Sequence, residues 1–327
     1  MSENTPFLLT PVAKDYLWGG SRLNDDFNLG IPIEPFAEAW VCSTHPDGIS
    51  CLKTTEEPLS SVLKENPEFL GSHALQITGG KPELPILIKL IDAKRNLSVQ
   101  VHPDDEYARK NEGQWGKTEM WYALEARKNS EVVFGFNRDV TAEEVRGSIE
   151  SATLGNLLNH VSVHKNDVFF IASGTVHAIG AGCLVAEIQQ SSNLTYRLYD
   201  YDRVDERGQK RDLHIDKALA VLNLTSSVTL RRKLRVSKYR GGCATELITR
   251  CRYFQVERLV LDSKNRRMAD FQTQSNSFHA LLCVDGCGVL FGEDVMLNFF
   301  KGDCIFVPAD SIAMKLHGKA QLLDVSC

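Results

Sequence analysis

A period of two runs through this chain. Val99-Gln100-Val101-His102 alternates apolar and polar residues. On a strand, successive side chains point to opposite faces, so Gln100 and His102 share one face and Val99 and Val101 the other. By the same rule Lys117 and Glu119 share a face. Glu38-Ala39-Trp40-Val41-Cys42 reads as a strand carrying Glu38 and Trp40 on one side, as core or as the wall of a pocket. The run 84–93 is almost continuously apolar and rich in β-branched residues, which predicts a buried strand. Lys89 inside it has to reach water or meet a carboxylate. Further strand signals lie at 131–136, 161–164, 167–172, 184–190 and from about Val228 to Cys327, separated by Gly and Asp turns. Many short strands with few helices predict an all-β barrel or sandwich.

Helices are expected at about 59–70, 141–159 and 213–222. The second starts with Thr141 as N-cap and Glu144 as its capping-box partner. There is also a weak internal repeat. The stretch 166–177, Asn-Asp-Val-Phe-Phe-Ile-Ala-Ser-Gly-Thr-Val-His, lies on 302–313, Gly-Asp-Cys-Ile-Phe-Val-Pro-Ala-Asp-Ser-Ile-Ala. Each is a turn with Asp, an apolar strand and a second turn. Ala313 stands where His177 stands, so one copy is expected to keep a polar site that the other has lost.

A chain of 327 residues has room for two such units. Its net charge of −5 does not favour nucleic acid or an anionic membrane surface. No run reaches the roughly 18 apolar residues of a membrane helix. The first residues show neither a basic segment nor an apolar one, so no signal peptide is expected. Nine cysteines, with no C-x-x-C pair, read as reduced thiols of a cytoplasmic protein rather than a disulfide framework.

The chemistry-bearing residues converge on a metal. Gln100, His102, Glu119 and a later His177 offer two imidazoles, a carboxylate and an amide oxygen, a set that suits a borderline divalent ion such as zinc. The other seven histidines (His45, His73, His160, His164, His214, His279 and His317) are read as core or surface residues. Glu187 and Gln189 share a strand face. Arg197, set among aromatics, is either an ion-pair partner of Asp200 or Asp202 or a planar cation for phosphate or a developing oxyanion.

The segments Gln100-Val101-His102-Pro103, Lys117-Thr118-Glu119-x-Trp121-Tyr122, 173–180 (Ser-Gly-Thr-Val-His-Ala-Ile-Gly) and 195–202 (Thr-Tyr-Arg-Leu-Tyr-Asp-Tyr-Asp) resemble the type I mannose-6-phosphate isomerases in their short bacterial form. Tyr16-x-Trp18-Gly19 and Glu38-x-Trp40 match as well, and the resemblance covers about residues 6–225. It implies a mainly β fold of two cupin-type (jelly-roll) barrels with small helical insertions. Residues 1–225 would form the catalytic barrel, and 226–327 a cupin-like barrel without a metal site. It implies one zinc ion with Gln100, His102, Glu119 and His177 as its ligands, the short bacterial members often showing only the two histidines and the glutamate as direct ones. Arg197 falls on the family's active-site arginine, and Lys117 and Glu187 on further pocket positions. Where members commonly carry Pro before Ser173, this chain has Ala172, which alters the turn without removing a ligand.

The implied reaction interconverts mannose 6-phosphate and fructose 6-phosphate through a cis-enediol. A base, Glu187 or Lys117, would move a proton between C1 and C2, and Lys117 and Arg197 would contact the sugar phosphate. Two rivals stand beside it. His102, Glu119 and His177 also fit the two-His-one-carboxylate set of a non-haem iron oxygenase. A metal-dependent sugar-binding module without catalysis would show the same residues. Oligomeric state is not legible in the sequence.

Overall fold

The computed structural model describes residues 4–27, 29–204, 207–227, 235–262 and 267–327, so Val228 lies outside the described residues. The chain forms three sheets whose strand pairs are all antiparallel, with short helices set between strands. Central strands are buried on both faces, and every residue of Ile86–Asp92 and Cys183–Gln190 is buried. That is why Ile86–Asp92 reads as an apolar run rather than an alternating one.

Two sheets make the first barrel. One is six-stranded: Val168–Ile171, Glu119–Ala126, Cys183–Gln190, Ile86–Asp92, Glu38–Cys42 and Val12–Lys14, in that spatial order. The other is five-stranded: Tyr196–Tyr199, Val99–Val101, His177–Ile179, Glu131–Phe136 and Leu158–Ser162. The third sheet has ten strands and is built on the C-terminal region. Its long strands His279–Phe291 and Met314–Ser326 pair along nearly their whole length. The N-terminal strand Phe7–Thr10 joins this third sheet, pairing with Cys304–Val307. The architecture is thus mainly β, two cupin-type barrels in tandem.

The two barrels are fused rather than tethered. One apolar cluster contains Val41, Leu90 and Ile188 from the first and Phe254, Phe306 and Leu323 from the second. Polar contacts cross as well. The Tyr122 hydroxyl accepts from Gln321 Nε2 at 2.6 Å and donates to Asn166 Oδ1.

The helices depart from the sequence spacing at their ends. The first is Leu59–Glu65, followed by a 3-10 turn Pro67–Leu70, because Pro67 disfavours helical backbone at Asn66, which sits at φ −130°, ψ 67°. The second has the Thr141–Glu144 capping box but spans only Ala142–Glu150. Ala152 takes a left-handed φ of 55°. Leu154–Leu157 is then a 3-10 turn and Leu158–Ser162 a strand. The third spans Ile215–Val221. The spacing does not anticipate the helix Asp105–Glu112, capped by the Asp104 carboxylate on the Tyr107 N–H and closed by Gly113 at φ 65°.

Candidate active site

The strand Val99–Val101 lies between Tyr196–Tyr199 and His177–Ile179, with Gln100 opposite both Arg197 and His177. This register brings residues from three distant segments to one place. His102 follows directly after the strand. Glu119 opens the next one, beside Gln189. Lys117 precedes that strand, in a loop anchored by its own N–H to the Pro103 carbonyl at 3.0 Å. Gly116 makes the loop possible: a Cβ there would lie 2.4 Å from the Asp104 backbone.

His102, Glu119 and His177 are buried, and one ligand atom of each lies within 4.8 Å of the others. His102 Nε2 is 3.1 Å from His177 Nε2 and 3.5 Å from Glu119 Oε2, and His177 Nε2 is 3.4 Å from Glu119 Oε1. Tetrahedral zinc with bonds of about 2.0–2.1 Å sets its ligand atoms about 3.3–3.4 Å apart, so the spacing fits one small divalent ion. The protonation states fit too. His177 Nδ1 donates to the Thr175 carbonyl at 2.8 Å, which leaves Nε2 as a lone pair facing the cluster. Burial and the charge of Lys117 pull His102 down to about 3, so its ring is neutral. Burial alone would raise Glu119, but Lys117, with Nζ at 2.8 Å from Oε2, keeps it well below the usual carboxylate range. Neither oxygen of Glu119 has a hydrogen bond of good geometry, and His102 Nδ1 has none either. Buried oxygens left so are where a cation belongs. Gln100 Nε2 lies 3.5 Å from His177 Nε2; turning the amide over would aim its oxygen at the same point.

Lys117 links this cluster to a cavity of about 240 Å³, lined also by Trp18, Glu38, Lys89, Gln100, Trp121, Glu187, Arg197 and Arg211. Lys89, the awkward cation of the buried strand, meets two carboxylates: Glu187 Oε1 at 3.1 Å and Glu38 Oε2 at 3.6 Å. Burial opposes its charge, and Glu38 and Glu187 outweigh that and raise its pKa. Each carboxylate also accepts an indole N–H, Glu38 from Trp40 at 2.7 Å and Glu187 from Trp121 at 3.0 Å. Burial, then the charge of Glu119, raises Glu187.

Arg197 pairs with neither Asp200 nor Asp202. Its Nε donates to Ser98 Oγ and its Nη1 to the Asp212 carbonyl. Asp200 instead holds Arg203 and Arg211. The structure therefore brings all seven residues singled out in the sequence to one site, His102, Glu119 and His177 in the cluster and Gln100, Lys117, Glu187 and Arg197 along the cavity. Sequence spacing misses Arg211, because it comes from an irregular loop with no periodicity. It also leaves the role of Trp121 unread.

Fold and site together define a tandem cupin with a buried His-Glu-His cluster fit for a metal ion, linked through Lys117 to a cation-lined cavity. Comparison with known proteins narrows this to one family. The family model for the phosphomannose isomerase type I catalytic domain matches residues 7–145, and that for the mannose-6-phosphate isomerase cupin domain matches residues 244–327. Mannose-6-phosphate isomerase ManA of Bacillus subtilis is 36% identical over 97% of this chain and 98% of its own. The probable mannose-6-phosphate isomerase GmuF of the same organism is 44% identical over 67% of this chain and 69% of its own. A crystal structure of the mannose 6-phosphate isomerase from Bacillus subtilis superposes with a TM-score of 0.86 at 33% identity, covering 99% of both chains. The chain belongs to the type I phosphomannose isomerases.

Proposed function

We propose that this chain is an aldose–ketose isomerase that interconverts mannose 6-phosphate and fructose 6-phosphate by moving a proton between C1 and C2 through a cis-enediol. The observation that carries the site assignment is the contact of Lys117 Nζ with both Glu119 Oε2 and His102 Nε2, at 2.8 and 3.1 Å. It links the buried ligand cluster to the cavity that Lys117 lines, so a sugar in the cavity lies one side chain from the cluster.

In this reading His102, Glu119 and His177 hold one zinc ion, with the Gln100 amide oxygen available as a fourth donor. When bound, the ion would supply Lewis-acid charge that offsets the enediolate. The chain's own groups do the rest. Glu187 is the base: its pKa lies above the ordinary carboxylate value, toward the pH at which proton transfer is efficient. Trp121 and Lys89 fix its two oxygens, so it approaches the sugar carbon in one orientation. Lys117 sits where it can pass or hold a proton at the sugar oxygens. Arg197, with Nε and Nη1 bonded to neutral groups, offsets the enediolate charge. Cations beside the cluster suit an anionic sugar phosphate rather than oxygen activation, which separates this reading from the iron-oxygenase one. Residues 1–225 carry these groups and residues 226–327 brace them.

The test is a coupled assay for fructose 6-phosphate formed from mannose 6-phosphate by the zinc-loaded chain. Turnover is expected, and its absence in metal-replete protein would defeat the reading. Arg197→Ala should lower kcat by about 10²-fold with metal content unchanged. Undiminished kcat would remove Arg197 from the transition state.

A further inference from the structure

The cavity holds a second arginine that the proton transfer does not use. Arg211 lines it beside Arg197. Its Nε and Nη2 donate to the two oxygens of Asp200 at 2.8 and 2.6 Å, a bidentate pair that fixes the plane of the guanidinium. Asp200 is buried, and its other partner is Arg203, which also donates to the Asn96 carbonyl at 2.6 Å. Burial would raise the Asp200 pKa, but hydrogen bonds from Arg211 and Arg203 bring it below the ordinary value, so it stays an anion.

Charge counting distinguishes this corner from the rest of the cavity. Lys89 and Lys117, the other lining cations, each face a carboxylate within 3.1 Å. Asp200 is shared between Arg203 and Arg211. Arg197 bonds only to a hydroxyl and a carbonyl. Three guanidinium groups stand against the buried Asp200 carboxylate and the exposed Asp212 carboxylate, which leaves one positive charge in excess. Arg211 Nη1 and Arg197 Nη2 have no hydrogen-bond partner among the described residues. The crowding registers on Arg197, whose pKa is lowered first by burial and then by Arg211. A guanidinium held in one plane with an uncommitted N–H, in a corner of excess positive charge, matches a phosphate dianion.

We infer that Arg211, oriented by Asp200, recognises the phosphate of the substrate through its uncommitted Nη1, beside an Arg197 that serves the enediolate, and so sets the preference for phosphorylated over free sugar. This rests on the isomerase reading above. Asp200 is a positioning residue in it.

The experiment uses the full-length zinc-loaded chain in two measurements. Inorganic phosphate is titrated calorimetrically, without turnover, and steady-state kinetics are run on mannose 6-phosphate. In Arg211→Met, KM should rise by about 10²-fold while kcat falls by a much smaller factor, and phosphate affinity should fall in parallel. Asp200→Asn should move KM and phosphate affinity in the same direction by less. Arg203→Met, which removes a like charge from the same carboxylate but does not line the cavity, should shift KM by under about 5-fold. Unchanged KM and phosphate affinity in Arg211→Met would overturn the assignment. So would a loss of kcat and melting temperature with phosphate affinity intact, the mark of a merely structural residue. If the wild-type chain binds phosphate through Arg211 but turns over no mannose 6-phosphate, the isomerase reading fails and the anion site stands.

Discussion

In the first barrel, the turn before Val168–Ile171 sets Asn166 at φ 69°, and its N–H donates to the Ala123 carbonyl at 2.7 Å. In the second, the turn before Cys304–Val307 sets Gly302 at φ 100°, and its N–H donates to the Cys283 carbonyl at 2.8 Å. The Asp167 carboxylate accepts the His164 N–H, and the Asp303 carboxylate accepts the Phe300 N–H, both at 2.8 Å. Further on, Gly174 and Asp310 are again left-handed, at 84° and 53°. The weak sequence repeat is therefore a repeat of backbone geometry, and only after it do the copies part, at His177 and Ala313.

Strand register extends the comparison. Glu119 lies opposite Ile171, and His279 opposite Val307. Glu187 lies opposite Trp121 and Lys89, and Asp324 opposite Leu281 and Glu257. So where the first barrel carries Glu119, Glu187, Lys89 and His177, the second carries His279, Asp324, Glu257 and Ala313. In the second, His279 Nδ1 and Asp324 Oδ1 satisfy each other at 2.6 Å. In the first, both oxygens of Glu119 stay without a hydrogen bond of good geometry. Main-chain bonds and apolar packing maintain the scaffold in both. At these equivalent positions the second barrel has closed its polar pair, and the first keeps a carboxylate facing two imidazoles.

The largest effect should come from writing the second barrel's residue into the first. His177→Ala is expected to drop bound metal well below one ion per chain and kcat/KM by more than about 10³-fold, read by metal analysis beside the coupled assay. Retained metal and activity within tenfold of wild type would dissolve the contrast between the barrels.

A smaller effect, on stability, should follow at the position of Glu257. Lys89→Met leaves Glu38 and Glu187 buried without their shared cation. Removing one partner of a buried ion network costs about 3–5 kcal/mol, to be measured from urea unfolding. The triple variant Glu38→Gln, Lys89→Met, Glu187→Gln should recover part of that loss, since no uncompensated charge remains. A triple variant no more stable than the single one would show that packing, not charge, sets the cost.

These residues also show where sequence reading stops. Lys89 could be read as demanding a carboxylate, because an apolar β-branched run is legible as a buried strand. Which carboxylates answer was not legible, since Glu38 and Glu187 come from strands nearly 150 positions apart in the chain. The cluster was legible because His102 and Glu119 stand in strand-like alternation and His177 in a recurring turn. Asp105–Glu112 escaped because only Ala108 is buried in it, so no apolar stripe announces a helix. Asp104 and Gly113 at its ends were the signal available. The overrun of the helix after Thr141 has the opposite cause. Leu154 and Leu157 continue the helical spacing and are buried, but they reach the core through a 3-10 turn.

The smallest effect tests whether the His279–Asp324 pair is now a purely structural bond. Burial lowers the pKa of His279, and the charge and hydrogen bond of Asp324 outweigh it, so the net shift is upward from 6.5. A histidine whose pKa is higher in the folded chain binds its proton more tightly there. Its contribution to stability is therefore fully present below about pH 6.5, and is lost as pH rises through the folded value. The pair is partly screened by solvent, which limits the contribution to about 1 kcal/mol. The measurement is the urea midpoint of wild type and His279→Gln across the neutral range. The difference should be largest on the acid side and shrink with rising pH, because each other titrating group contributes alike to both proteins. A difference that stayed constant, or grew with pH, would mean that His279 is held neutral and that the second barrel has kept no charge pair at the position of Glu119.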